Sequence, residues 1–298
     1  MAGTSEIRQR IAGVRQTQKI THAMYLISSA KLRRAKQELD RTRPYFEALG
    51  REIGRIFHVD GSVESRYFAS DGTPEAGASA CLVITADKGL AGAYNHNVLK
   101  RAQERLAGRP DTELYVVGEF GRRWFDQKRI VIEHSFLYTA QNPNLYRARE
   151  IARVLLERYD SGAVEAIDII YTDLSGMNET VRQFQLLPLP RQHFDARHGA
   201  AEDGVDFDYQ PSLRAVLESV VENYLSGYIY SALVDSFCSE QSARMEAMNA
   251  ADRNAEELLS TLSKQYNRAR QSAITQEITE VSAGARAQRN KKREAEQL

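Results

Sequence analysis

Cysteine is scarce in this 298-residue sequence, an apolar export core and metal-ligand clusters are lacking, and each shortage argues against a class of function. Its two cysteines, Cys81 and Cys238, stand far apart, which fits a reducing compartment and offers no disulfide framework; they read as buried small hydrophobes. No apolar run approaches the roughly 20 residues needed to cross a bilayer, and Met1-Ala-Gly-Thr-Ser-Glu6 has no apolar export core. A soluble chain without direct membrane insertion is expected. The six histidines are scattered and form no HExxH pair, and no GxSxG context surrounds any serine. Neither a metal, nor another cofactor, nor catalysis by this chain alone is therefore expected.

Net charge is also missing, with 40 basic residues against 40 acidic ones, but the balance hides an asymmetry. Residues 1–43 hold ten basic and three acidic side chains, and residues 262–298 hold eight and four, so the middle is acidic. Arg8, Arg10, Arg15, Lys19, Lys31, Arg33, Arg34 and Lys36 recur along the first segment. They form either a solvated face or a surface for an acidic partner, and the scarcity of interspersed acids favours the partner. Nucleic acid could also answer a basic end, but no base-reading motif is present and none is expected to bind.

Proline is absent from both ends: all seven lie between residues 44 and 211. Because proline removes a donor and clashes inside a helix, the flanks are where long helices can form. In the second flank Met245, Met248, Ala255, Leu259, Leu262, Tyr266, Ala269 and Ala273 step by threes and fours, interrupted by Asp252. The first flank carries Ile7, Ile11, Val14, Ile20, Met24 and Ile27, with Ala30 and Ala35 beyond. Two long helices with single narrow stripes are satisfied by pairing as an antiparallel coiled coil.

Between the flanks, short apolar runs alternate with amphipathic segments. Strands are expected at 80–85, 113–117, 130–136, 166–172 and 181–187, and helices at 95–106, 120–127 and 145–159. The expected fold class is therefore α/β plus a long antiparallel coiled coil, with an open Rossmann-like sheet inserted between the N- and C-terminal helices. The expected division is a coiled-coil helix over 1–60, a linker over 61–79, the α/β domain over 80–210, a second coiled-coil helix over 211–286 and a basic tail over 287–298. That tail either frays or extends the helix. Residues 191–204 also read as a surface linker.

The segment Asp87-Lys-Gly-Leu-Ala-Gly-Ala-Tyr-Asn95 follows a strand and opens a helix, the position where glycine-rich loops cradle phosphate. It has neither the GxGxxG nor the GxxxxGK[ST] order, so a plain structural turn is the better reading. A nucleotide-dependent enzyme or sensor built on the sheet remains the rival from another class.

Both ends carry a resemblance. Ile7-Arg-Gln-Arg-Ile11, Thr17-Gln-Lys-Ile-Thr21, Ala23-Met24 and Ser29-Ala-Lys-Leu-Arg-Arg34 resemble the opening helix of the F-type ATP synthase gamma-subunit family. Glu240-Gln-Ser-Ala-Arg-Met245, Ala247-Met248, Tyr266-Asn267, Arg270-Gln271, Ile274-Thr275 and Glu277-Ile-Thr-Glu280 resemble its closing helix. Ile84 to Asn95 and Gln185-Leu-Leu-Pro-Leu-Pro190 match in the middle, so the likeness covers nearly the whole chain.

That resemblance implies a rotating shaft, one copy per complex, standing within a hexamer of alpha and beta subunits. Its α/β domain would bind the epsilon subunit and the c-ring of the membrane rotor, at the cytoplasmic face of a bacterial membrane. The coupling ion, proton or sodium, is decided in that ring. Carried over by position, Arg270 and Gln271 would hydrogen-bond an acidic loop of a beta subunit, and Arg244, Thr275 and Glu280 match other coupling positions. Met24 matches a position near an acidic segment of beta, and Lys88 would face the base of the beta ring. Tyr25-Leu26 departs from many members, which have lysine after the methionine, and the cysteine-pair insertion of plant members is missing.

Overall fold

The computed structural model describes residues 2–59, 65–69, 77–137, 139–175, 178–195 and 209–295. Two compact units emerge, one built from 1–26 with 247–298 and the other from 27–246. Helices α1 (Ala2–Val59) and α6 (Leu213–Ala295) contribute to both.

The larger unit holds a five-stranded sheet of β1 (Ser79–Ile84), β2 (Thr112–Val117), β3 (His134–Phe136), β4 (Ala166–Ser175) and β5 (Asn178–Leu187). Their order is β3-β2-β1-β4-β5, with β5 antiparallel to β4 and the other neighbours parallel. Helices α2 (Tyr94–Gly108), α3 (Glu119–Gln127) and α4 (Leu145–Asp160) are the crossovers that parallel pairing requires. Because side chains alternate along a strand, β1 divides its residues between two cores. Cys81 and Val83 pack with Val98, Leu99 and Ala102 of α2 and Phe125 of α3. Ala80, Leu82 and Ile84 join Ile151 and Leu155 of α4, Phe46, Ile53 and Ile56 of α1, and Leu217, Val221 and Ile229 of α6. Both cysteines are free and buried, and burial pushes each thiol up to about 12.

Each expected strand is present with shifted ends, the largest shift being β3, which covers only His134–Phe136 of the run 130–136. Ile130 and Ile132 there face the α2/α3 core from outside the ladder. Helix α1 runs to Val59 with Pro44 inside it. The missing donor is tolerated because Leu39 before it and Phe46, Ile53 and Ile56 after it are anchored in one core. Within 61–79, Tyr67 and Phe68 are buried, and Leu189 N–H donates to the Tyr67 carbonyl at 2.7 Å. Part of the expected linker is thus pinned to the domain. Within 191–204, Gln192–Asp195 form the short helix α5, with Phe194 buried; residues 196–204 lie outside the described set. Helix α6 continues through Ala295, beyond the 286 at which a tail was expected.

In the smaller unit the two helices pair antiparallel. Arg8 Nη2 donates to Tyr266 Oη at 2.6 Å, and Thr21 Oγ1 donates to Asp252 Oδ1, so a step of thirteen residues along α1 answers a step of fourteen back along α6. The less exposed positions on α1 include the series Thr4, Ile7, Ile11, Val14, Gln18 and Thr21, with Met24 and Tyr25 beyond, and on α6 the series Met248, Asp252, Ala255, Leu259, Leu262, Tyr266, Ala269 and Ala273, flanked by Ala247, Ala251 and Ser263. Both series alternate threes and fours, the period of a coiled-coil seam. The α6 ladder is the expected one, with Asp252 inside it. The α1 ladder departs from expectation at Ile20, which is 54% exposed while Thr21 is buried. Once Ile7, Ile11 and Val14 set the phase, a 3.5-residue repeat brings 18 and 21 to the seam and turns 20 away.

Candidate partner-binding site

In the larger unit, the turn after β1 is built by its own side chains. Asn95 Oδ1 accepts from Ala86 N–H at 3.0 Å, and its amide donates to the Lys88 carbonyl at 3.4 Å. Asp87 Oδ1 accepts the Glu119 N–H at 2.9 Å, satisfying an open donor at the start of α3. Its Oδ2 is buried and has no hydrogen-bond partner among the described residues. Leu90 and Gly92 both take positive φ, 63° and 53°. The result leaves Lys88 exposed and Leu90 65% exposed, while Ala91 and Tyr94 pack on Ala86 and Ala243.

Arg244, expected as a coupling position, lies under this turn. Its Nη2 meets Glu240 Oε1 at 2.6 Å and donates to the Gly89 carbonyl at 3.0 Å, and the two side chains are only 9% and 8% exposed. Burial pushes the Glu240 carboxyl up, Arg244 pulls it down, and Asp87 adds to the upward shift. An ion pair in such a place is sensitive to loss of either member, because the survivor is a buried, uncompensated charge.

This turn stands beside the point where the strand order reverses, between β1 and β4, outside whose carboxyl ends doubly wound sheets bind nucleotides. Here that ground is taken by α6. Ser236 Oγ accepts from Thr172 N–H at 3.3 Å, Ser239 Oγ donates to the Thr172 carbonyl at 3.4 Å, and Ala243 and Arg244 cover the β1 turn. A helix of the same chain fills the crevice that a nucleotide would need, which removes the physical basis of the rival reading.

In the smaller unit, Arg270, Gln271, Thr275 and Glu280 of α6 are exposed, and Met24 of α1 is half-buried. Thr275 Oγ1 donates to the Gln271 carbonyl at 2.9 Å and Gln276 Nε2 to Glu280 Oε1 at 3.0 Å, so both polar side chains are held along the helix. No side-chain hydrogen bond or ion pair involves Arg270 among the described residues. Beyond Ala273 the apolar Ile274, Ile278 and Val281 are 46%, 62% and 73% exposed. Their spacing of four and three makes one uncovered stripe on α6.

Sequence reasoning missed Glu240 as the anchor of Arg244, although its i,i+4 spacing on a helix was the available signal. It recorded Asp252 only as a break in a ladder. The break is a polar lock: Asp252 receives the Thr21 hydroxyl and lies 3.5 Å from His22 Nδ1. A single polar residue at a seam position specifies register, because any slip would bury it without its partner. Among the described residues no cluster of three metal-ligating side chains occurs, and no helix is long and apolar enough to cross a membrane.

A sequence model of the family described as ATP synthase matches residues 3–288. The chain is 42% identical to the ATP synthase gamma chain of Caldanaerobacter subterraneus subsp. tengcongensis, over 95% of this chain and 99% of that one. It is 34% identical to the sodium-ion-specific ATP synthase gamma chain of Acetobacterium woodii, over 95% and 97%. Among solved structures, a chain of the Euglena gracilis mitochondrial ATP synthase, from its OSCP, F1 and c-ring assembly, shares the fold with a TM-score of 0.68 at 18% identity, covering 96% of this chain and 94% of that one. A chain of the Tetrahymena thermophila mitochondrial ATP synthase central stalk and c-ring has a TM-score of 0.59 at 24% identity, covering 78% and 99%.

Proposed function

The chain belongs to the ATP synthase gamma-chain family, and from that premise we propose that its coiled-coil unit is gripped by alpha and beta subunits while its α/β unit binds epsilon and the c-ring. Its function is that of the rotating central-stalk subunit of an F-type, ion-translocating ATP synthase, which couples ion flow through the membrane rotor to the cycling of the catalytic beta subunits. It catalyses nothing by itself. In that role it would act as a peripheral protein at the cytoplasmic face of the bacterial membrane.

The observation that carries the reading of the contacts is the sidedness of α6 in the smaller unit. Tyr266, Ala269 and Ala273 face the seam, Gln271 and Thr275 face away from it, Arg270 flanks it, and Glu280, which continues the seam spacing beyond Ala273, is exposed like the other three. A planar guanidinium beside an amide suits bidentate recognition of a carboxylate on a beta subunit. Thr275 and Glu280 extend that surface, Met24 offers an apolar contact on α1, and Lys88 offers a second cation on the α/β unit. Arg244 belongs to the same set of coupling positions through the turn that carries Lys88. A lopsided surface of this kind presents different contacts to each of three identical neighbours, so each beta subunit is biased toward a different state in turn.

Expression of a tagged form of this chain with its neighbouring subunits tests the assembly. Alpha, beta and epsilon should co-purify with it in one complex that retains the c-ring in mild detergent. A monomer ignored by these subunits would refute the reading.

A further inference from the structure

We propose that Arg244 is a positioning residue: anchored on Glu240, it holds the 87–93 turn so that Lys88 and Leu90 point outward at an acidic protein surface with an adjoining apolar recess. The proposal rests on the reading above that Lys88 faces a partner in the assembly.

Arg244 has little surface to offer a partner, since its side chain is 9% exposed and its guanidinium meets Glu240 at 2.6 Å and the Gly89 carbonyl at 3.0 Å. Gly89 lies between Lys88 and Leu90, whose side chains the turn exposes. A leucine at φ 63° occupies a left-handed backbone region that is strained for a residue with a side chain. Leu90 accepts that conformation without gaining burial, being 65% exposed, so surrounding bonds must hold it there. The bonds that serve include Arg244 to the Gly89 carbonyl, Asn95 to the Lys88 carbonyl, Ala86 N–H to Asn95, Glu119 N–H to Asp87 and Tyr94 N–H to the Ala91 carbonyl. Of these, only the Arg244 bond ties the turn to α6, over a sequence separation of 155 residues. The exposed pair combines a flexible cation with a branched apolar group. Its complement is a carboxylate beside an apolar recess, the chemistry of an acidic protein segment.

The test is hydrogen exchange on the full-length chain, read at the Ala86 and Tyr94 amides that close the turn, together with affinity for the alpha–beta hexamer. Arg244→Gln should speed exchange of these two amides about tenfold, as loss of one charge-assisted hydrogen bond allows, and leave α2 amides from Val98 to Ala102 unchanged. Arg244→Gln and Lys88→Ala should each weaken hexamer binding, and the double variant should be no weaker than the worse single one. Should Arg244→Gln fail to fold, Arg244→Lys, which keeps the charge but loses the fork, should show the same two effects. Unchanged exchange overturns the latch. Faster exchange with additive binding losses overturns action through Lys88. Faster exchange with full-strength binding by Lys88→Ala overturns the partner reading of Lys88 and leaves the latch standing.

Discussion

Replacing Arg270 and Gln271 together by alanine separates coupling from folding. Both side chains are exposed, and neither carries a side-chain hydrogen bond or ion pair among the described residues. Among the described residues the side-chain bond that reaches this pair is from Thr275 to the Gln271 backbone carbonyl, which alanine keeps. Surface changes of this type alter stability by about 0.5 kcal/mol or less, and alanine is a good helix former. The partner contact is different, because a hydrogen bond to a charged group contributes about 1.5–3 kcal/mol. With tenfold per about 1.4 kcal/mol, its loss corresponds to a change of about 10- to 100-fold in the grip on the beta subunit. The assay is the ratio of ATP-driven ion pumping to ATP hydrolysis in membranes carrying the assembled enzyme, beside thermal unfolding of the isolated variant. The ratio should fall while the unfolding midpoint stays within a few degrees, and Arg270→Lys should lie between, since lysine cannot form the planar fork. Unchanged pumping with both residues replaced would falsify the assignment, and a large drop in the midpoint would show that the pair is structural instead.

Gly227→Ala tests the close approach of α6 to α1. At an ordinary helix position this change stabilises by about 1 kcal/mol, but here the new Cβ would lie 1.9 Å from Cδ1 of buried Phe46. Overpacking of about 1–3 kcal/mol should outweigh the gain, and Phe46→Leu should relieve part of it; a raised unfolding midpoint for the single variant would contradict the packing. Asp235→Asn tests a half-buried carboxyl that desolvation, with Asp173 nearby, pushes up to about 6 despite Arg43, Arg182 and Lys36. Its folded value exceeds the unfolded one, so the native state binds the extra proton between about pH 4 and pH 6, and stability falls as pH rises through that window. The asparagine variant should lose this slope and gain about 1–3 kcal/mol at neutral pH by chemical denaturation. An unchanged slope would point to another group.

Much of this architecture was legible because it is local or periodic. The threes and fours of α6 from Met248 to Ala273 named one seam, the short apolar runs named five strands, and Asn95 after a glycine-containing turn marked the start of a helix. The end motifs carried the family. Within α1, however, the apolar residues permit two phases after Val14. Ile20 offered one and Gln18 and Thr21 the other, and the pattern alone favours the apolar residue, although Met24 beyond them is half-buried in either case.

The linear sequence therefore determined the kinds of element, their order and the asymmetry of charge, since these follow from spacing and composition along the chain. Tertiary structure decided which face each element buries. Thr21, brought to the seam by the phase of its helix, finds a hydrogen-bond partner there only because Asp252 waits across it, and Pro44 is tolerated only because a core grips the helix on both sides. Arg244 became a buried anchor only because Gly89, 155 residues away, comes to rest above it. Such contacts join distant residues whose pairing no local periodicity encodes, and their energies appear only when packing has removed water from both partners.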